Sequence, residues 1–240
     1  MTELPLDAAN GGGRFPGFDV LAQAEQWDRA TQATVGSRLG MLPAIRFFTP
    51  EEEATAGALF DQLLYQREDP RVPVVQMVDS RLADGKTDGW HYDSMPTDAQ
   101  AWRASLKGLD DDAGQRHGRR FVDCSWEEQT DILAAIHDLG QEDWHELAAG
   151  KVWGLWTRYA CTAFYSHPWA WNEIGFAGPA YPRGYKNLGL DKREPFEVPD
   201  ARPHDDPAAG DLEAKKTAGR PSSGVDSGGP AADSAKAGGT

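Results

Sequence analysis

The residues able to do chemistry are scattered along this chain rather than gathered. Of six histidines only His137 and His145 lie close, and eight positions with Gly140 between them do not bring two imidazoles to one metal ion. Cys124 and Cys161 stand 37 positions apart with no CxxC and no third thiol. That pattern fits neither a zinc site nor a disulfide scaffold, and two small hydrophobes is the simpler reading. The carboxylates Asp110, Asp111 and Asp112 lack the alternating ligands, glycine and distal glutamate of a calcium loop, so they read as solvated charge. The motifs GxGxxG, GxxxxGK[ST], HExxH and GxSxG do not occur, which leaves catalytic, cofactor and metal residues unassigned. His167, between Ser166 and Pro168, could shuttle a proton, but a hydrogen bond that stabilises a turn is the plainer role. An enzyme reading would rest on His91, Tyr92 and Asp93, or on His167.

Composition narrows the field. The chain has 240 residues, 24 Lys+Arg against 38 Asp+Glu, and a formal charge of -14. Nucleic-acid binding is excluded as a function class, because phosphate recognition is mostly a Lys/Arg electrostatic effect. At 40% hydrophobic residues there is apolar material for one core of roughly 150 residues, and no run approaches the ~20 apolar residues of a membrane span. The opening MTELPLDAANGGGRFPGF carries acids and three consecutive glycines where an export signal would place a basic and then an apolar stretch, and Arg119-Arg120 is internal. The expectation is a cytoplasmic chain, or export on a partner's signal. Residues 1–17 read as a flexible N-terminus, 18–198 as the helical domain, and 199–240 as a disordered low-complexity tail rich in Ala, Gly, Pro, Ser and Asp.

Inside the domain the apolar period is helical. Thr49-Pro50-Glu51-Glu52 supplies an N-cap, a proline at the first helical position and a glutamate at the third, so a helix over 50–67 is expected, with Glu51, Glu52 and Glu53 at the positive end of its dipole. Val74, Val75, Val78 and Leu82 predict a second helix over 73–83. Thr97 and Gln100 open a third that should end before the acidic cluster. Ser125 to Glu128 opens another, which runs to Gly140. After Gly140 the 3, 4 spacing from Trp144 to Phe164 is nearly unbroken, so the stretch from Gly140 to Phe164 predicts a central helix of about 25 residues and about 37 Å. The stretch from Phe18 predicts one more helix, ending before Gly36. The fold class is all-α: an irregular helical bundle with one long central helix and an extended arm.

That arm, 164–198, combines nine ring-bearing side chains (His167 among them) with prolines and glycines, which argues against a regular helix. Large rings on an extended path need a surface to lie on. Either they cover the chain's own helices or they lie across another protein, and Trp, Tyr and Arg dominate interface hot spots. The predicted partner interface is Phe164, Tyr165, His167, Pro168, Trp169, Trp171, Asn172, Ile174, Phe176, Pro179, Tyr181 and Tyr185.

The segments RFFTPEEEATAGALFDQLL, GWHYDSMPTDAQAWRASLKGLD, SWEEQTDILAAI and FYSHPWAWNEIGFAGPAYPRGY together resemble the gluconate 2-dehydrogenase subunit 3 family over roughly residues 19 to 198. The resemblance implies a non-catalytic small subunit with no cofactor of its own. Its expected partner is an FAD-dependent sugar or polyol dehydrogenase large subunit of the glucose-methanol-choline type, often accompanied by a cytochrome c subunit. Several members of that family carry a twin-arginine signal, a feature this sequence does not show. A stand-alone scaffold for flavoproteins is the alternative.

Overall fold

The computed structural model describes residues 13–87, 92–190 and 192–205. Among them lie seven α-helices and one two-stranded hairpin: α1 Arg29–Ser37, α2 Pro50–Leu64, α3 Val74–Ala83, α4 Asp98–His117, α5 Trp126–Asp138, β1 Asp143–Trp144, β2 Leu147–Ala148, α6 Ala149–Phe164 and α7 Pro168–Ile174. The all-α expectation holds.

Local chemistry explains most of the helix starts. Thr49 and Glu52 form a full capping box on α2, Thr97 and Gln100 one on α4, and Ser125 and Glu128 one on α5, each satisfying otherwise orphaned N–H groups. α2 stops at Tyr65 in the left-handed conformation (φ 54°), short of the expected 67. α2 packs on α3, α4 and α6, and α5 lies against α4 and α6. Trp102 is the hub of this core: fully buried, it meets Phe48 at 6.2 Å, Phe60 at 5.4 Å and Tyr159 at 5.7 Å between ring centroids.

Three expectations are corrected. α4 does not stop before the acids but runs through them to His117, which makes it, at 20 residues, the longest helix among the described residues. Asp110 accepts hydrogen bonds from the Phe121 amide (3.0 Å) and the Thr55 hydroxyl (3.1 Å), Asp111 pairs with Lys107, and Asp112 accepts from Trp144 Nε1 (2.9 Å). These partners outweigh the few tenths of a kcal/mol that Asp costs a helix interior.

The 25-residue central helix breaks. His145 and Glu146 both take positive φ (49° and 63°), closing a hairpin in which Trp144 pairs with Leu147, and only then does the 16-residue α6 begin, about 24 Å long. Trp144 and Leu147 are buried in the hairpin, so three-residue spacing served a turn as readily as a helix.

The stretch after Phe18 is a 3-10 segment, Val20–Gln26, followed by α1, which passes through Gly36. Arg14 and Phe15, counted in the loose opening, are held. Arg14 pairs with Asp200 at 2.8 Å, and Phe15 packs where a Cβ on Gly175 would stand.

Candidate docking surface

The arm begins at Phe164, whose ring closes the main core. His167 then caps α7: its Nδ1 accepts the Trp169 amide (3.2 Å) and its Nε2–H donates to the Arg38 carbonyl (3.1 Å). Burial lowers its pKa to about 4, the Arg38 carbonyl pulls the other way, and the Arg38 charge adds to the lowering. A neutral imidazole with both nitrogens engaged fits the turn-stabilising role. Pro168 sits at the first helical position, so the arm contains a helix of seven residues where an irregular path was expected.

α7 packs against the chain's own N-terminal segment. Trp171, 5% exposed, joins Val20, Trp27 and Val35 in a second apolar cluster. Its indole N–H donates to the Tyr165 carbonyl (2.6 Å), and Asn172 Oδ1 accepts the Val20 amide (2.8 Å). Arg38 fastens the junction by donating to the Ser166 carbonyl (2.5 Å). Gly178 (φ 76°) approaches Trp27 so closely that a Cβ would stand 2.5 Å from its ring.

The predicted interface residues therefore divide. Phe164, His167, Pro168, Trp171 and Asn172 are buried within this chain, and Trp169 and Pro179 are half-buried. The indole N–H of Trp169 is buried without an acceptor among the described residues. Tyr165, Ile174, Phe176, Tyr181 and Tyr185 are exposed, Tyr181 to 67%. Phe176 stands edge-on to Trp171 at 5.3 Å, and Trp171 is bonded to Tyr165, so these outward groups rest on one buried indole. Sequence reading missed Met41, 98% exposed, and Leu42 in the loop after α1. Their signal was two apolar residues outside any period, between Gly40 and Pro43.

A cleft of about 340 Å³ is lined by Tyr92, Met95, Asp98, Lys151, Leu155 and Arg158 among others. Asp98 accepts from the Tyr159 hydroxyl at 2.6 Å and lies 3.6 Å from Arg158. Burial, with Asp98 next, pushes the Tyr159 hydroxyl up. Lys151 lies over the Tyr92 ring at 4.9 Å. His91 falls outside the described residues, while Tyr92 and Asp93 are exposed. Among the described residues no three His, Cys, Asp or Glu side chains come together as metal ligands. His145 faces Asp112 at 2.8 Å rather than His137.

Fold and surface define a helical bundle whose C-terminal arm exposes several large apolar and aromatic side chains. The chain belongs to the gluconate 2-dehydrogenase subunit 3 family, whose model matches residues 50–178, more than half of it. The match covers α2 through α7 and ends at Gly178, short of the 19–198 suggested by the quoted segments. No curated protein and no solved structure matches this chain. None of the described helices is long and apolar enough to cross a membrane.

Proposed function

We propose that this chain is a non-catalytic small subunit that binds, stabilises or escorts an FAD-dependent dehydrogenase large subunit, which holds the flavin and performs the oxidation. The docking surface is the outward face of the arm, Tyr165, Ile174, Phe176, Tyr181 and Tyr185, with Trp169 at its edge. The buried members Phe164, His167, Pro168, Trp171, Asn172 and the half-buried Pro179 shape it from beneath.

The observation that supports this reading is the set of exposed large side chains on the arm, of which Tyr165 and Phe176 flank Trp171 of the second core and Tyr185 lies against the Phe196 ring. Rings fixed before binding lose little freedom on contact, and such anchors carry most of an interface's energy. Family membership supplies the class of partner.

Co-expression of the tagged chain with an FAD-dependent dehydrogenase large subunit of this type tests the reading. Flavin absorbance should co-elute with the wild-type chain. The triple variant F176A/Y181A/Y185A should lose the flavin protein while keeping its helical circular dichroism, each truncation weakening binding by about 1–2 kcal/mol. Undiminished recovery of the flavoprotein by that variant would refute the assigned surface.

A further inference from the structure

A cation beside the docking rings has no counter-charge in this chain. Arg14, Arg46, Arg71, Arg103, Arg119 and Arg120 each pair with a carboxylate. Arg38, half-buried just past α1, forms no ion pair among the described residues, although the chain carries 38 acids against 24 bases. A guanidinium drawn partly out of water without a carboxylate is uncompensated charge.

Its place is fixed by the arm. Nη1–H donates to the Ser166 carbonyl (2.5 Å), and the guanidinium carbon stands 5.8 Å from the centre of the Trp171 ring. The backbone contributes separately, the Arg38 carbonyl accepting from His167 Nε2–H (3.1 Å). Trp171 in turn donates to the Tyr165 carbonyl (2.6 Å) and meets the Phe176 ring edge-on at 5.3 Å. The cation thus shares one indole with two exposed residues of the docking face. Burial lowers its pKa from the ordinary arginine value, while its remaining nitrogens, without partners among the described residues, are not sealed from solvent. A planar fork of N–H groups held in this way suits the two oxygens of a carboxylate.

We propose that Arg38 is the charged anchor of the docking face and receives an Asp or Glu side chain of the dehydrogenase large subunit. The inference rests on the subunit reading and adds the chemistry the partner must present. A protein laid over Tyr165 and Phe176 takes further water from the guanidinium, which is unfavourable unless a carboxylate replaces that water. The rings then supply buried area, and the ion pair supplies register and discrimination between partners. Acids of this chain's own residues 206–240, such as Asp211 and Glu213, offer the same oxygens. The large subunit is favoured because Tyr165 and Phe176, which share the indole with Arg38, are themselves left exposed by this chain.

The test uses the full chain with an FAD-dependent large subunit of this type. The amide of R38Q can still donate to the Ser166 carbonyl, so this variant should keep its helical circular dichroism while its Kd for the large subunit rises about ten- to a hundredfold. Its Kd should also climb less steeply with added NaCl than that of the wild-type chain, a difference that a purely structural strut would not produce. R38K places an amine at the same position. Carbodiimide treatment of the R38K complex should join that amine to an Asp or Glu of the large subunit, located by peptide mass spectrometry. Equal affinity and equal salt dependence of R38Q and wild type overturn the inference and leave the subunit reading standing. A carbodiimide product in which position 38 is linked to acids of this chain, or to none, overturns it as well. A wild-type chain that does not hold the large subunit at all refutes the subunit reading and this inference with it.

Discussion

Asp79 shows how much one side chain can organise. Fully buried on α3, its carboxylate accepts the amides of Arg46 (2.8 Å), Phe47 (2.8 Å) and Phe48 (2.9 Å), fixing the chain just before the α2 cap. Arg103 completes the clamp, stacking on Phe47 at 4.4 Å and pairing with Glu52 at 2.5 Å. The FFTPEE segment thus has a structural task. Replacing Asp79 by Ala leaves three N–H groups without an acceptor and should cost about 3 kcal/mol in urea unfolding, with Asp79→Asn costing less because one oxygen remains. His167 predicts a pH dependence. Its pKa is about 4 in the folded chain against an ordinary 6.5, so between these values the unfolded chain takes a proton that the folded one refuses. Stability is therefore full above pH 6.5 and falls on acidification toward pH 4, by on the order of 3 kcal/mol in all. His167→Asn retains a capping acceptor and removes the titration, so its melting temperature should fall less over that window.

At the scale of elements, the hairpin and α7 decide the shape. Gly108 lies on α4 under the Trp144 ring, and a Cβ there would stand 2.8 Å from the ring. Gly108→Ala should push the hairpin outward at a cost of about 2 kcal/mol and shift tryptophan emission, measured by equilibrium unfolding and fluorescence. Trp171 is the corresponding support of the arm. Trp171→Ala should cost about 3 kcal/mol and raise amide exchange in residues 18–38, because it empties the centre of the second core. Loss of partner binding in that variant would report a collapsed arm rather than a lost contact. The helix starts were readable in advance from Thr49, Thr97 and Ser125. The hairpin was not, because Trp144 and Leu147 satisfy a helical stripe and a cross-strand pair alike, and only the packing against Gly108 selects the turn.

For the whole molecule, the subunit reading predicts division of labour. The purified chain should be colourless and inactive in dye-linked sugar oxidation, and its addition at about a hundred times Kd should stabilise the large subunit by about 2.7 kcal/mol, visible as a longer thermal half-life. A yellow, active preparation of the chain alone would instead direct attention to the cleft beside Asp98 and Lys151. Five of the twelve candidate docking residues, Phe164, His167, Pro168, Trp171 and Asn172, are buried within this chain. Ring content says that burial is needed without saying against what, and the N-terminal segment around Val20 and Trp27 supplies that partner from 150 residues away.

The amino-acid sequence determined the all-helical class, the three capping boxes and the family, since these depend on side chains within one helical turn or on a motif read in order. Tertiary structure alone decided that Asp110 and Asp112 of α4 are hydrogen-bond acceptors rather than free charge, that the apolar stripe breaks at His145, and which rings of the arm face out. Each of those outcomes is settled by atoms that stand far apart along the chain, where no local pattern can register them.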